Sequence, residues 1–399
     1  MKISNNANNN IIEICYEKSI DLLIKNSTSF GVKASSFSRK AKDRNYLSIF
    51  GRDASICAIG MAISKNKKLI QSAKNSLISL AKMQAKNGQM PNYIKPELNK
   101  ADFWYLSCID ATLWWLIAIK HFSYFTQNKK LEKILTVKIS KAINWLLSHE
   151  HQQFFLLEQN EASDWADIMP RSGYVLYANA LWLWVKRLYK IDNLTKTVES
   201  FNYIFYPWQK IPNKYFTNNY RAKKFNNYLK QIEKSKYLLS FANYGFGGEE
   251  VDVYGNILAC LTEAVDIKIR KNIIKQLIND KIDFPYPVKT CVNPITENSK
   301  LWREYMKIHK QNYPNQYHNG GIWPFIGSFW AIALNKTGNE KLAEQTLIKL
   351  AKANKINDWQ FNEWFNGLTG EPQGIHGQSW NAGTFILAYH LIKNNSRLL

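Results

Sequence analysis

The sequence predicts an all-α chain folded as an (α/α)6 toroid, a double ring of inner and outer helices. Three observations carry this. Helical periodicity dominates the 399 residues, strand-like alternation is rare, and the 18 Gly and 11 Pro concentrate between helical stretches. Two kinds of helix alternate along the chain, one amphipathic and lysine-rich, the other nearly free of charge. A polar cluster precedes each uncharged helix.

The amphipathic helices are expected over Lys67–Lys82, Lys129–Leu147, Asp266–Asn279 and Asn339–Lys352. In the last, Ala343, Leu347, Leu350 and Ala351 share one face while Lys341, Glu344, Gln345 and Lys349 take the other, so one side is wet. The uncharged helices are Ala54–Ser64, Ala111–Ile119, Gly173–Val185, Val253–Leu261, Trp323–Leu334 and Trp380–Tyr389. A helix apolar all round is buried all round.

The preceding clusters are Gly51-Arg52-Asp53, Ile109-Asp110, Pro170-Arg171-Ser172, Glu249-Glu250-Val251-Asp252, His318-Asn319-Gly320-Gly321 and Gly377-Gln378-Ser379. Anchored on Asp53, Asp110, Arg171, Asp252, Asn319 and Trp380, the steps are 57, 61, 81, 67 and 61 residues. That spacing suits one outer and one inner helix per unit. In a closed ring the six inner N-termini meet at one mouth, where helix N–H groups and the positive end of the dipole face carboxylates and ligand. An open solenoid would spread them along a surface instead. Two segments stretch the spacing. Gln152–Arg171 reads as an insertion, and Asn193–Phe246 as a lid or outer excursion. No boundary separates a second domain, so residues 1–399 are expected to form one.

Composition narrows the function. Hydrophobic residues make up 46% and charged residues 21%, which fits a globular chain. No stretch has the roughly 20 apolar residues that span a bilayer, and the N-terminus lacks the apolar core of a secretory signal. Five widely spaced cysteines without a C-x-x-C pair indicate neither a disulfide framework nor a zinc site; a reducing cytoplasm fits best. The net charge of +22 is spread along the whole chain without interleaved stacking aromatics, so neither a nucleic acid nor a membrane is the expected partner. The 14 Trp and 21 Tyr suit cores and also pockets for sugars, which present apolar faces and hydroxylated edges.

Glycoside hydrolysis needs two carboxyl groups across the scissile bond. One, protonated, serves the leaving oxygen; the other, ionised, activates water or attacks. Asp167 is the candidate acid, because Trp165, Ile168 and Met169 beside it favour its neutral form. Asp164 in the same loop reads equally as a cap or turn residue. Glu363 is the candidate base, in a glycine-rich loop with aromatic flanks, Phe361 to Gly374. His318 to Pro324 opens an inner helix, with Pro324 suited to its first turn. Arg52-Asp53 reads either as a fork for vicinal hydroxyls or as a buried ion pair. Candidate substrate contacts are Arg52, Asp53, Asp110, Trp165, Arg171, Asp252, His318, Asn319, Trp323, Gln378 and Trp380. No metal or organic cofactor is required, since carboxyls handle both charge shifts.

In order along the chain, these clusters resemble the (α/α)6 glycoside hydrolases from about Phe50 to Tyr389. Two families share the likeness. Ile109 to Trp115 and the run His318-Asn319-Gly320-Gly321-Ile322-Trp323-Pro324 resemble the neutral/alkaline invertases of glycoside hydrolase family 100, and Asp252 to Leu261 does so loosely. Phe50-Gly51-Arg52-Asp53, Trp165-Ala166-Asp167 and Gln378-Ser379-Trp380 resemble the amylo-α-1,6-glucosidase domain of glycogen debranching enzymes. Both resemblances imply an inverting hydrolase of an α-glucosidic bond, amylo-α-1,6-glucosidase-like first and a sucrose-cleaving neutral/alkaline invertase as the alternative, with Asp167 as acid, Glu363 as base and a neutral oligosaccharide or glucoside as partner. The stretch after Asp167, Ile168-Met169-Pro170-Arg171, departs from both patterns on the leaving-group side. Two rivals remain: a sugar-binding toroid without activity, which would lack one carboxyl, and a terpene- or lanthionine-cyclase barrel. The latter would need an Asp-rich motif or zinc ligands that the sequence lacks.

Overall fold

The computed structural model describes residues 2–104, 108–208, 223–224, 227–228, 231–245 and 247–399. Twelve helices of the described residues build two concentric rings. The outer ones are α1 (Lys2–Asn26), α3 (Lys67–Lys82), α5 (Thr136–Leu147), α7 (Leu194–Phe205), α9 (Ile267–Asn279) and α11 (Glu340–Trp359). The inner ones are α2 (Gly51–Ile63), α4 (Ile109–Phe125), α6 (Leu176–Tyr189), α8 (Val253–Leu261), α10 (Pro324–Lys336) and α12 (Ser379–Lys393). Inner helices pack in cyclic order, α2 on α4, α4 on α6, and so to α12, which packs back on α2. The ring is therefore closed, as the spacing of the polar clusters predicts.

Charge decides which ring a helix joins. Every residue of α8 is buried, as is every residue of α2 but Arg52. On α3 only the stripe through Leu69, Ala73, Ser76, Leu77 and Leu80 is buried, and the lysines stay wet. Close approach of inner helices needs missing side chains: a Cβ at Gly60 of α2 would overlap the carbonyl of Gly383 on α12.

Three departures from the sequence reading follow from local chemistry. Helix α1 completes the first unit and packs on α11 and α12, joining the two ends of the chain. Its buried stripe, Ile12, Cys15, Ser19 and Leu23, is short and follows an asparagine-rich start that hides the period. The expected helix over Lys129–Leu147 divides into Lys130–Ile134 and α5. The Asn193–Phe246 segment begins with α7, the fourth outer helix, so at least that part is no lid; residues 209–222, 225–226, 229–230 and 246 lie outside the described residues. Gln152–Arg171 is non-helical, as an insertion should be, and Glu158–Gln159 within it pairs with Gly173–Val175.

Side-chain caps are found on two outer helices, α3 and α9, while α5, α7 and α11 have none. Asn66 and Asp266 cap α3 and α9 with their side chains. None of the six inner helices has a side-chain cap. In five of them the first N–H instead donates to a carbonyl of a loop from elsewhere in the ring, and the sixth, α10, begins at Pro324, which has no N–H. Gly51 donates to Asn92 (2.7 Å), Ile109 to Ser163 (3.0 Å), Leu176 to Ser240 (2.9 Å), Val253 to Thr290 (3.0 Å) and Ser379 to Ala34 (2.9 Å). The mouth is thus framed by loops bonded to the helix ends, and small sheets such as Ile49–Phe50 with Tyr93–Lys95 and Lys100–Asp102 stiffen it.

Candidate active site

A pocket of about 250 Å³ opens at the mouth. Its wall brings together Arg52, Asp53, Trp165, Asp167, His318, Trp323 and Trp380 of the sequence candidates, from the starts of α2, α10 and α12 and the loop before α6. It adds Phe50, noticed in the sequence only as part of a motif, and residues that the sequence reading passed over: Arg44, Asn45, Tyr46, Asn92, Tyr93, Asp102, Trp104 and Tyr317. Tyr317 adjoins His318 and extends a motif already noticed. The others lie in non-helical segments, where no period marks a residue as facing inward.

The floor is aromatic. Trp165 meets His318 edge-on at 4.9 Å and Trp323 at 5.5 Å, and Trp380 stacks on Phe325 at 4.0 Å. Apolar faces at the base and polar groups at the wall suit a ligand with both. Arg52 lies over Trp380 at 5.8 Å and holds two carboxylates, with Nε donating to Asp53 (3.2 Å) and Nη1 to Asp110 (3.3 Å). Asp110 sits behind the wall, where it also accepts from the Tyr177 hydroxyl (3.0 Å). The Arg52-Asp53 pair is therefore a charge pair with its edge at the pocket, combining the two readings that the sequence left open.

The loop before α6 presents one carboxyl and ties down the other. Asp164 accepts from the Ala166 amide (2.8 Å) and from Gln159 Nε2 (2.9 Å), which fixes the turn. Asp167 turns its carboxyl into the pocket, with its side chain 47% exposed there. Desolvation by the enclosing mouth pushes its pKa up to about 6, against the pull of Arg52 and with help from Asp164 and Asp110. His318 Nδ1 lies 3.8 Å from Asp167 Oδ1, too far for a hydrogen bond. Burial, with Arg171 and Arg52 nearby, holds that imidazole well below its usual pKa and so neutral.

Glu363 is placed by the end of α11. The helix loses helical geometry at Ile356, and Asn357, Asp358 and Trp359 take positive φ angles of 54°, 58° and 60°. This left-handed run reverses the chain into the Glu363 loop. Glu363 is 1% exposed. Its Oε1 accepts from the Tyr46 hydroxyl (2.5 Å) and its Oε2 from the Ile375 amide (2.8 Å). Burial pushes its pKa up to about 7, although both donors pull the other way. Gly374, at φ 78°, leaves the space that this carboxylate fills; a Cβ there would overlap Oε2. The charges of Asp167 and Glu363 both act on Tyr46 and on Tyr317, so the two tyrosines lie near both carboxyls.

Five further candidates do not line the pocket, the buried Glu363 among them. Arg171 is buried, with Nε donating to Glu250 (3.1 Å) and Nη1 3.2 Å from Asp252, so these charges serve each other across two units of the ring. Asn319 is spent on backbone, donating to Ile295 O (2.8 Å) and accepting from Ile295 N (2.7 Å). Gln378 donates to Ile375 O (3.0 Å) and helps to hold the Glu363 loop. Among the described residues, no three His, Cys, Asp or Glu side chains gather as metal ligands, and no helix is long and apolar enough to cross a membrane.

Comparison with known proteins bears on the fold and the family. Solved structures share the fold at low identity. The GH63 mannosylglycerate hydrolase from Thermus thermophilus, in complex with Tris and D-glycerate, superposes with a TM-score of 0.62 at 12% identity, over 93% of this chain and 99% of that one. A rhamnosidase from Klebsiella oxytoca superposes with a TM-score of 0.62 at 10% identity, over 97% of this chain and 64% of that one. By sequence, the chain is 23% identical over 356 residues to alkaline/neutral invertase C, mitochondrial, of Arabidopsis thaliana, covering 79% of this chain and 53% of the relative. It is 24% identical to neutral/alkaline invertase 1, mitochondrial, of Oryza sativa subsp. japonica, covering 75% and 53%. The chain thus spans about half the length of the curated relatives it matches. The family model for alkaline and neutral invertase matches residues 179–395, a span that begins after Asp167 and contains His318, Trp323, Glu363 and Trp380. Of the two resemblances in the sequence, that match, over more than half of the chain, selects one: the protein belongs to the alkaline and neutral invertase family, glycoside hydrolase family 100.

Proposed function

We propose that the protein is an inverting glycoside hydrolase that cleaves the α-glucosidic bond of a small neutral sugar, with sucrose as the leading substrate. Asp167 is the general acid and Glu363 the general base. The observation that carries this reading is Asp167 in the pocket wall, raised to about 6, with Glu363 buried behind that wall against Tyr46 and raised to about 7, both in the range where a carboxyl can hold or take a proton near neutrality.

Their settings divide the roles. Both oxygens of Glu363 accept hydrogen bonds that pull toward the carboxylate a base must be, yet burial still holds it at about 7, above Asp167 at about 6 in the free enzyme, so the roles require bound sugar to lift Asp167 past it. Asp167 faces the pocket, where a bound sugar would strip water from it and raise its pKa further, favouring the proton that an acid must hold. The family match favours an invertase, so sucrose ranks above an α-1,6-linked glucoside. The five free, buried thiols suit a reducing compartment, and we place the enzyme in the cytoplasm; the plant relatives are named as mitochondrial or chloroplastic.

The test is the purified protein against sucrose, maltose, isomaltose and a branched limit dextrin, with products followed by NMR from the first turnover. Sucrose should give fructose and β-glucose before mutarotation. First-formed α-glucose would overturn inversion, and turnover of isomaltose or limit dextrin with sucrose untouched would overturn the sucrose assignment.

A further inference from the structure

Glu363 as base raises a geometric problem. The carboxylate is 1% exposed and is not part of the pocket wall. Its two oxygens accept from Tyr46 and from the Ile375 amide. The group that does face the pocket, and that touches Glu363 Oε1 at 2.5 Å, is the Tyr46 hydroxyl. Tyr317 stands in the same wall. Asp167 lines the same pocket.

We propose that Tyr46 is a catalytic proton relay: the attacking water gives its proton to Tyr46 Oη as Tyr46 gives its own to Glu363 Oε1. This rests on the reading of Glu363 as the base. The step balances. The water oxygen bonds to the anomeric carbon and the bond to the leaving oxygen breaks. Asp167 protonates that oxygen, Tyr46 ends neutral as it began, and Glu363 ends protonated. Return of that proton to solvent, and uptake of one by Asp167, resets the site. A tyrosine suits the task because it donates and accepts through one oxygen. Burial and the two nearby carboxylates push its own pKa well above the usual value, so it rests as the neutral donor that Glu363 requires. The alternative is that Tyr46 only tunes Glu363, and the two make different predictions.

α-D-Glucosyl fluoride separates them, because fluoride leaves without a proton from Asp167 and the base side alone sets the rate. In the wild type, the rate on this substrate should rise with pH through the titration of Glu363 and then stay level. For Tyr46→Phe we expect the high-pH plateau to fall roughly 10²-fold with KM little changed, since the ring that packs on Phe50 at 5.8 Å is kept. Glu363→Gln should fall at least as far, and the double variant no further than Glu363→Gln alone. A Tyr46→Phe enzyme that regains the wild-type plateau at higher pH overturns the relay and leaves Tyr46 a tuner. A Glu363→Gln enzyme that keeps the plateau overturns the assignment of the base. A wild-type enzyme inert toward the fluoride overturns the glucosidase reading and the relay with it.

Discussion

Replacing Glu363 by Gln should make the protein more stable, and increasingly so as pH rises. In the folded protein, burial raises the Glu363 pKa from the ordinary 4.5 to about 7. A folded state that holds its proton more tightly than the unfolded chain loses stability as pH rises from the unfolded pKa to the folded one. Below 4.5 the carboxyl is protonated in both states and the penalty vanishes; above 7 it is complete. At about 1.4 kcal/mol per pH unit, the gap between 4.5 and 7 corresponds to about 3 kcal/mol at pH 8 and about 1 kcal/mol at pH 5. Gln imitates the protonated carboxyl at this site. Its oxygen can accept from the Ile375 amide while its amide donates to the Tyr46 oxygen, so no buried polar group is stranded. Urea denaturation of both proteins at pH 5 and pH 8 measures the effect. The variant's advantage should grow by about 2 kcal/mol between the two pH values. An advantage that is equal at both, or a variant less stable at pH 8, would mean that burial does not hold this carboxyl up, and the acid–base argument would lose its basis.

Asp167→Asn should lower turnover of the natural substrate by roughly 10²–10⁴-fold with folding intact, and should harm the fluoride far less; equal losses on both substrates would remove Asp167 from the acid role. The pH profile of kcat/KM should show limbs near 6 and 7 for the free enzyme, while the profile of kcat should show the Asp167 limb displaced upward, because bound sugar desolvates it. Arg171→Met should destabilise the protein by about 3–5 kcal/mol, since it leaves Glu250 and Asp252 buried without their counter-ion; a near-neutral effect in urea denaturation would contradict the ion cluster. Initial rates on sucrose should barely change between low and moderate salt, because a neutral sugar releases no counterions; a tenfold fall would bring the basic surface into recognition.

The sequence by itself carried the architecture. Uncharged runs such as Ala54–Ser64 can go nowhere but the interior, and lysine-striped runs such as Lys67–Lys82 nowhere but the outer ring. The polar clusters between them marked the mouth, and the aromatic neighbours of Asp167 and Glu363 singled these two out as the candidates on which the proposed acid and base rest. What remained hidden depended on partners distant in the chain. Arg171 and Asp252 read as mouth residues, yet Arg171 from one unit meets Glu250 and Asp252 from the next, and the charges cancel in the interior. Nothing local to any of the three announces the other two. Tyr46 carries no motif and no helical period, and it gains its importance only because the loop of residues 361–375 brings Glu363 to its hydroxyl across 317 positions of sequence. Helical periodicity repeats every few residues, so the sequence alone determines which helices form and which ring they join. Whether a charge faces ligand or counter-ion depends on which loops closure of the ring sets side by side, and that was decided only by the tertiary structure.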